Sequence, residues 1–266
     1  MNLIKKTILV ISFIALSIPS MAWWGINGHR IVGEIADGYL NSKARKALKE
    51  LLGDESIAMA SNWGDFIKSD SLYDYVYSWH YINLKGGMSF SELQSKLQTD
   101  TVANLYNKVN FLISELKSNK SLTTQQRTMY LKLLIHFVGD LHQPLHVGGR
   151  PEDQGGNRVK VLWFNEPTNI HSVWDDKLVE FQKLSYTEYA KAINHANKQM
   201  RKSWQQQPRM EWYWESYQIS QTIYASIKQP DQKLSYGYNY DYIATVNQQL
   251  LKGGVRLAGV LNDIFG

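Results

Sequence analysis

The chain has 266 residues, 44% hydrophobic and 20% charged, which excludes a disordered polymer and leaves enough apolar material for a sizeable core. Its 29 basic and 24 acidic side chains give a mild positive excess that does not by itself mark a nucleic-acid binder. Cysteine is absent, so disulfides and thiolate metal sites are excluded, and any bound metal must be held by nitrogen and oxygen.

Residues 1–22 read as a secretory signal: Lys5 and Lys6 supply a positive start, residues 7–18 an apolar core, and Ser20, Met21 and Ala22 a cleavage site. The apolar run is short for a membrane span, and nothing later resembles one. The expectation is therefore an exported protein, periplasmic or secreted, with no stable membrane association. No Pro/Ser-rich or charged linker divides the remainder, so residues 23–266 are expected to form one domain.

In chain order, residues 24–53 show helical spacing, with a cap at Asn41 and Ser42 and a stop at Gly53. Within WGINGH, His29 taken alone reads as a structural histidine. Residues 56–68 suggest one helix carrying Asp65 and Lys68 three positions apart, which in isolation is a surface ion pair. WHYIN at 79–83 suggests an extended segment with His80 and Ile82 on one side and Tyr81 and Asn83 on the other. Helices are expected over 89–98 and 101–117, the latter with an apolar stripe of Val102, Leu105, Val109 and Leu112.

Thr123 or Thr124 caps the next helix, which is apolar on most sides and carries HFVGDLHQPLH at 136–146. His136 and Asp140 are spaced to leave one helical face together, and Pro144 ends the helix before His146. Polar groups in so apolar a helix are costly unless paired or bound to a metal. A glycine-rich loop then leads into a strand at 158–164 of a small hairpin. Gly155, Gly156 and Asn157 are not a P-loop, since the Gly-Lys-Ser/Thr ending is missing. A second His/Asp pair, His171 and Asp175, falls in a stretch expected to be helical from Asn169. Three long helices are expected at 186–205, 211–228 and 239–264, punctuated by Pro208, Pro230 and the pair Gly253 and Gly254. His195 reads as a surface or packing residue.

Collected, His29, Asp65, His80, His136, Asp140, His146, His171 and Asp175 are a ligand set of five imidazoles and three carboxylates. Mixed His/Asp ligation suits zinc in a hydrolytic site, and the surplus over four ligands implies more than one ion. Two ions about 3.5–4 Å apart are the arrangement that drives in-line attack at phosphorus.

With WGINGH, NWGD, WHYIN, HFVGDLHQPLH, GGN and HSVWD in this order, the chain resembles the S1/P1 nuclease family. That resemblance implies a mainly helical, single-domain, phospholipase C-like fold with a short β-hairpin. It also implies hydrolysis of single-stranded DNA and RNA to 5′-phosphorylated products through a metal-bridging hydroxide, with 3′-nucleotidase activity. Three zinc ions are implied. Asp65, His80, His136 and Asp140 hold the first and His146, His171 and Asp175 the second. Asp140 bridges to a third held by His29 and the mature amino-terminal tryptophan. The family tryptophan aligns with Trp24, whereas cleavage after Ala22 leaves Trp23 first, so both are candidates. By the same resemblance Asp65 orients the nucleophile, Lys68 and Asn157 bind phosphate oxygens, and Tyr81 and Asn83 receive the base. Asn83 replaces an acidic residue common in the family, so no base preference is carried over. His142 is expected not to be a ligand but to support one or to be structural, and the protein is expected to be a monomer. The rival readings are a zinc phospholipase C and a non-catalytic exported zinc-binding protein.

Overall fold

Side chains at helix starts decide where most of the helices begin. Asn41, Ser89, Asn104, Thr123, Ser185 and Asn197 each accept a hydrogen bond from a backbone amide of the turn that follows. These bonds satisfy donors that a helix end leaves open. The computed structural model describes residues 25–266, so the expected signal segment and the candidates Trp23 and Trp24 lie outside the described residues. It runs through helices α1 (Ile26–Asp37), α2 (Ser42–Leu52), α3 (Ile57–Ala60), α4 (Trp63–Phe66), α5 (Phe90–Thr99), α6 (Leu105–Ser118), α7 (Thr124–Leu141) and α8 (Pro144–Gly148). Strands β1 (Lys160–Trp163) and β2 (Glu166–Asn169) follow, then α9 (Ile170–Ser172), α10 (Leu178–Glu180), α11 (Tyr186–Ile193), α12 (Lys198–Gln206), α13 (Arg209–Ser226), β3 (Gln232–Leu234) and α14 (Tyr236–Phe265). The fold is the expected one, mainly helical and single-domain.

Helix α7 is the centre. Every residue from 133 to 141 is buried, with α6, α14, α1 and α4 packed around it. Apolar side chains of nearly all elements join one core, the main source of stability in such a fold. No helix among the described residues is long and apolar enough to cross a membrane.

The sheet has strand order β2-β1-β3. β1 and β2 are the expected hairpin, antiparallel with Lys160 opposite Asn169 and Trp163 opposite Glu166. Phe164 and Asn165 both have positive φ, as a two-residue hairpin turn requires. The third strand, parallel to β1, comes from residues 232–234 and was not expected. Asn169 ends β2 and caps α9, so the hairpin sets where His171 begins.

Several expected boundaries differ. Residues 56–68 are not one helix but α3, α4 and a 3₁₀ turn, because the chain bends at Ser61 and Asn62. Residues 71–80 are 3₁₀ turns, so the extended part of WHYIN starts at Tyr81. Val102 lies before α6 and is exposed, the cap being Asn104. The expected helix at 186–205 divides into α11 and α12 around residues 194–197, where Asn197 starts a new helix. Gly253 and Gly254 do not punctuate α14. They let it cross α1, and a Cβ on Gly254 would stand 2.5 Å from the Ile35 side chain.

Candidate metal centre

Asp140, fully buried in the last turn of α7, is the hub of the site. Its Oδ2 lies 3.0 Å from His80 Nδ1 and 3.3 Å from His136 Nε2. Its Oδ1 lies 2.9 Å from His146 Nδ1 and 3.6 Å from His29 Nε2. Four imidazoles from α1, the 3₁₀ segment, α7 and α8 thus converge on one carboxylate. Asp65 Oδ1 adds a second carboxylate 3.5 Å from His136 Nε2 and 3.9 Å from His80 Nδ1.

A second group stands beside the first. Asp175 Oδ2 is 2.9 Å from His171 Nε2, and its Oδ1 is 3.4 Å from His146 Nε2. His146 therefore presents one ring nitrogen to Asp140 and the other to Asp175. Asp175 sits in a single π-helical stretch, Val173–Lys177, a rare geometry that re-aims side chains. Three sets of ligand atoms lie within 4.8 Å of one another: His29, Asp65 and His136; His80, His136 and Asp140; His146, His171 and Asp175. All eight predicted His and Asp residues are thereby brought together.

The donor set fits a cation. His136 Nδ1 donates to Ser61 O at 2.7 Å, and His171 Nδ1 to Gly155 O at 2.6 Å, so each inner nitrogen of the neutral ring is a lone pair facing carboxylate oxygen. Acceptor facing acceptor is repulsive until a proton or a metal sits between them, and a backbone carbonyl behind the ring is the usual support of a metal-binding histidine.

Without metal, protons take that place. Burial opposes charging His136, yet Asp140 and Asp65 outweigh it and push the ring up to about 10. His146 is pushed up to about 9 against burial by Asp140 and Asp175. His29 goes the other way, to about 3, through burial and the neighbouring His136. His80 also falls to about 3, through burial and Lys68. Burial favours the neutral acids, but the facing histidines hold Asp65, Asp140 and Asp175 low, so all three remain anionic acceptors.

Around this cluster, Lys68 Nζ pairs with Asp65 Oδ1 at 2.6 Å, and burial lowers its ammonium to about 8. Asn157 follows Gly155 and Gly156, whose positive φ only glycine adopts freely, and its Nδ2 donates to Gln154 O at 2.9 Å. The Tyr81–Leu84 stretch runs along α8, with Ile82 N on His146 O at 2.7 Å and Leu84 N on Gly149 O at 2.9 Å. Ile82 is buried, Tyr81 half-buried and Asn83 exposed, so the alternation read from WHYIN holds in burial. His142 has both nitrogens engaged, Nδ1 on Val138 O at 2.8 Å and Nε2 on Arg256 Nη1 at 3.0 Å, as a structural residue should. His195 is exposed.

Gln143, Gly64 and Gly139 were missed by sequence reasoning. Buried Gln143 accepts from Leu145 N and donates to the Asp175 carboxylate. A Cβ on Gly64 would stand 2.6 Å from the His136 ring, and one on Gly139 2.6 Å from His29 Nδ1. The signal for the two glycines was that each directly precedes a candidate ligand aspartate, Asp65 or Asp140, and Gln143 carried none. The described chain begins beside the second group, where Gly25 N donates to Asp175 O at 2.6 Å.

Comparison with known proteins agrees with this chemistry. The family model described as S1/P1 Nuclease matches residues 24–266. Endonuclease 3 of Arabidopsis thaliana is 30% identical over 266 residues, covering 91% of this chain and 89% of its own. Nuclease P1 of Penicillium citrinum is 26% identical, covering 91% of this chain and 98% of its own. Nuclease S1 of Aspergillus oryzae is 26% identical over 65% of this chain and 61% of its own. A match over nearly the whole chain, joined to a buried cluster of histidine and aspartate able to hold metal, shows that this chain belongs to the S1/P1 nuclease family, enzymes that hydrolyse phosphodiester bonds.

Proposed function

We propose that the chain is an exported zinc nuclease that cuts single-stranded DNA and RNA to 5′-phosphorylated products and removes 3′-phosphates from nucleotides. The observation that carries this reading is Asp140, whose two carboxylate oxygens face different pairs of imidazoles. A bridging carboxylate of that kind suits neighbouring ions in a phosphoesterase.

In this reading Asp65, His80, His136 and Asp140 hold one ion, and His146, His171 and Asp175 a second. Asp140 and His29 hold a third together with the amino-terminal tryptophan, Trp23 or Trp24, exposed by removal of residues 1–22. An α-amino group, with a pKa of about 8, gives up its proton to a metal more readily than lysine does. Zinc, when bound, supplies Lewis acidity and makes water acidic enough to act as nucleophile near neutral pH.

The chain's own groups do the rest. Asp65 orients the attacking water and takes its proton as the new P–O bond forms and the bond to the 3′ oxygen breaks. Lys68, still largely cationic at neutral pH, faces the non-bridging oxygens with Asn157, where charge accumulates. Tyr81 stacks on the base and Asn83 hydrogen-bonds its edge. A base enters that slot only when unstacked, which favours single strands.

The test is turnover of single- and double-stranded oligonucleotides, a 3′-mononucleotide and phosphatidylcholine. EDTA should abolish single-strand cleavage and Zn²⁺ restore it. Cleavage of lipid alone would favour the zinc phospholipase reading, and zinc that restores fold but no turnover would favour a non-catalytic zinc-binding protein.

A further inference from the structure

The loop between Asp65 and His80 is unusual in what it shows to solvent. Both ends are anchored in the cluster, yet Phe66 is 52% exposed, Leu72 78%, Tyr75 52% and Tyr77 39%. Exposing four large apolar side chains within twelve residues is unfavourable in water, and such concentrations mark contact surfaces. With three residues per 3₁₀ turn, Asp74, Tyr77 and His80 share an edge, and Leu72 and Tyr75 share the next. Tyr77 meets Tyr81 edge to face at 6.2 Å and 85°. Tyr75 meets Trp79 at 5.3 Å and 65°, and Lys108 lies 4.4 Å above the Trp79 ring. Tyr77 therefore joins the exposed run to the Tyr81 ring.

We propose that the exposed run from Phe66 to Tyr77 is a stacking rim for the bases of a single strand that flank the nucleotide at the His/Asp cluster. This extends the single-strand reading above and rests on it. Rings accept any base by its face, so the rim adds affinity with strand length and little sequence preference. Asp70 and Asp74 are exposed on the same run and repel phosphates, so the rim takes bases and not the backbone, while Lys68 stands beside Asp65 at the end of the run that meets the cluster. The two carboxylates also disfavour an anionic membrane as the occupant.

The experiment compares wild type with Leu72→Ser/Tyr75→Ala, Tyr77→Ala and Tyr77→Phe, all zinc-loaded. Substrates are single-stranded oligonucleotides of two to twelve nucleotides and bis(p-nitrophenyl) phosphate, which has no base. For the long strands, KM should rise about tenfold in Leu72→Ser/Tyr75→Ala and Tyr77→Ala, with kcat nearly unchanged, and Tyr77→Phe should recover it. Turnover of the baseless ester should stay within about twofold. Unchanged KM for the long strands would overturn the rim, as would equal loss on the baseless ester, which would make the run scaffold for the metal centre. Sedimentation of wild type with phosphatidylcholine vesicles, lost in Leu72→Ser/Tyr75→Ala, would assign the run to a lipid surface instead. Wild type that turned over the baseless ester and no oligonucleotide would overturn the single-strand reading itself, before any variant is compared.

Discussion

Gln143 donates a hydrogen bond to the Asp175 carboxylate from the short link between α7 and α8, thirty-two residues away in sequence. The residue whose backbone breaks the helix ahead of Pro144 therefore also orients a candidate ligand of the second group. The break and the second His/Asp group are mechanically one unit.

Replacing Gln143 by Ala removes that support without touching a ligand. Zinc affinity of the second group should fall about tenfold, with the fold retained. Competition with a graded chelator, followed by circular dichroism, measures both; unchanged affinity would confine Gln143 to capping α8.

Asp140→Asn removes the charge that faces four imidazoles. More than one ion should be lost, and turnover with them. Metal analysis of the purified variant decides, and a deficit of a single ion with full activity would contradict a bridging role.

Lys68→Ala should separate catalysis from metal binding. Its ammonium contacts Asp65 and no candidate ligand atom is removed. Zinc content should be unchanged while kcat falls about a hundredfold, the scale on which loss of one transition-state donor is felt.

Gly139→Ala places a methyl group where the His29 ring stands. Overpacking of this kind costs about 1–3 kcal/mol. Denaturant melts should show that loss together with a lower metal content, since the displaced side chain is itself a candidate ligand.

The chelated protein should have a narrow pH optimum of stability. His136 and His146, at about 10 and about 9, stabilise the fold fully below the ordinary 6.5, and that contribution is lost as pH rises through 9 to 10. His29 and His80, at about 3, act in the opposite sense, since the unfolded chain takes up protons first and stability drops as pH falls below 6.5. Thermal melts in EDTA should therefore peak near pH 6.5, whereas zinc-loaded protein should keep its stability to higher pH. Identical profiles with and without zinc would contradict the assignment of these rings to metal.

Local pattern was enough for much of the architecture. Asn41 and Thr123 cap helices because a short polar side chain reaches its own backbone, a property of a few adjacent residues. Pro144 interrupts α7 for an equally local reason, and the pairs His136/Asp140 and His171/Asp175 were visible as spacings. Where packing competes with local preference, packing wins. Gly253 and Gly254 looked like a helix end, yet they lie within α14 because α1 presses against them. Residues 56–68 looked like one helix, yet they bend so that Gly64 can rest on His136 and Asp65 can reach the cluster.

The sequence by itself determined which side chains can bind metal, that none is a thiolate, and that most ride on helices around one apolar core. Only the tertiary structure decided which of them face one another. Asp140 opposes His29 and His146 with one oxygen and His80 and His136 with the other, and its partners His29 and His80 come from far away in the chain. Such contacts are set by the packing of α1, α8 and the 3₁₀ segment on α7, and no local periodicity encodes that packing. The exposed rings between Asp65 and His80 belong to the same category, since the sequence showed aromatics and the fold alone turned them towards solvent.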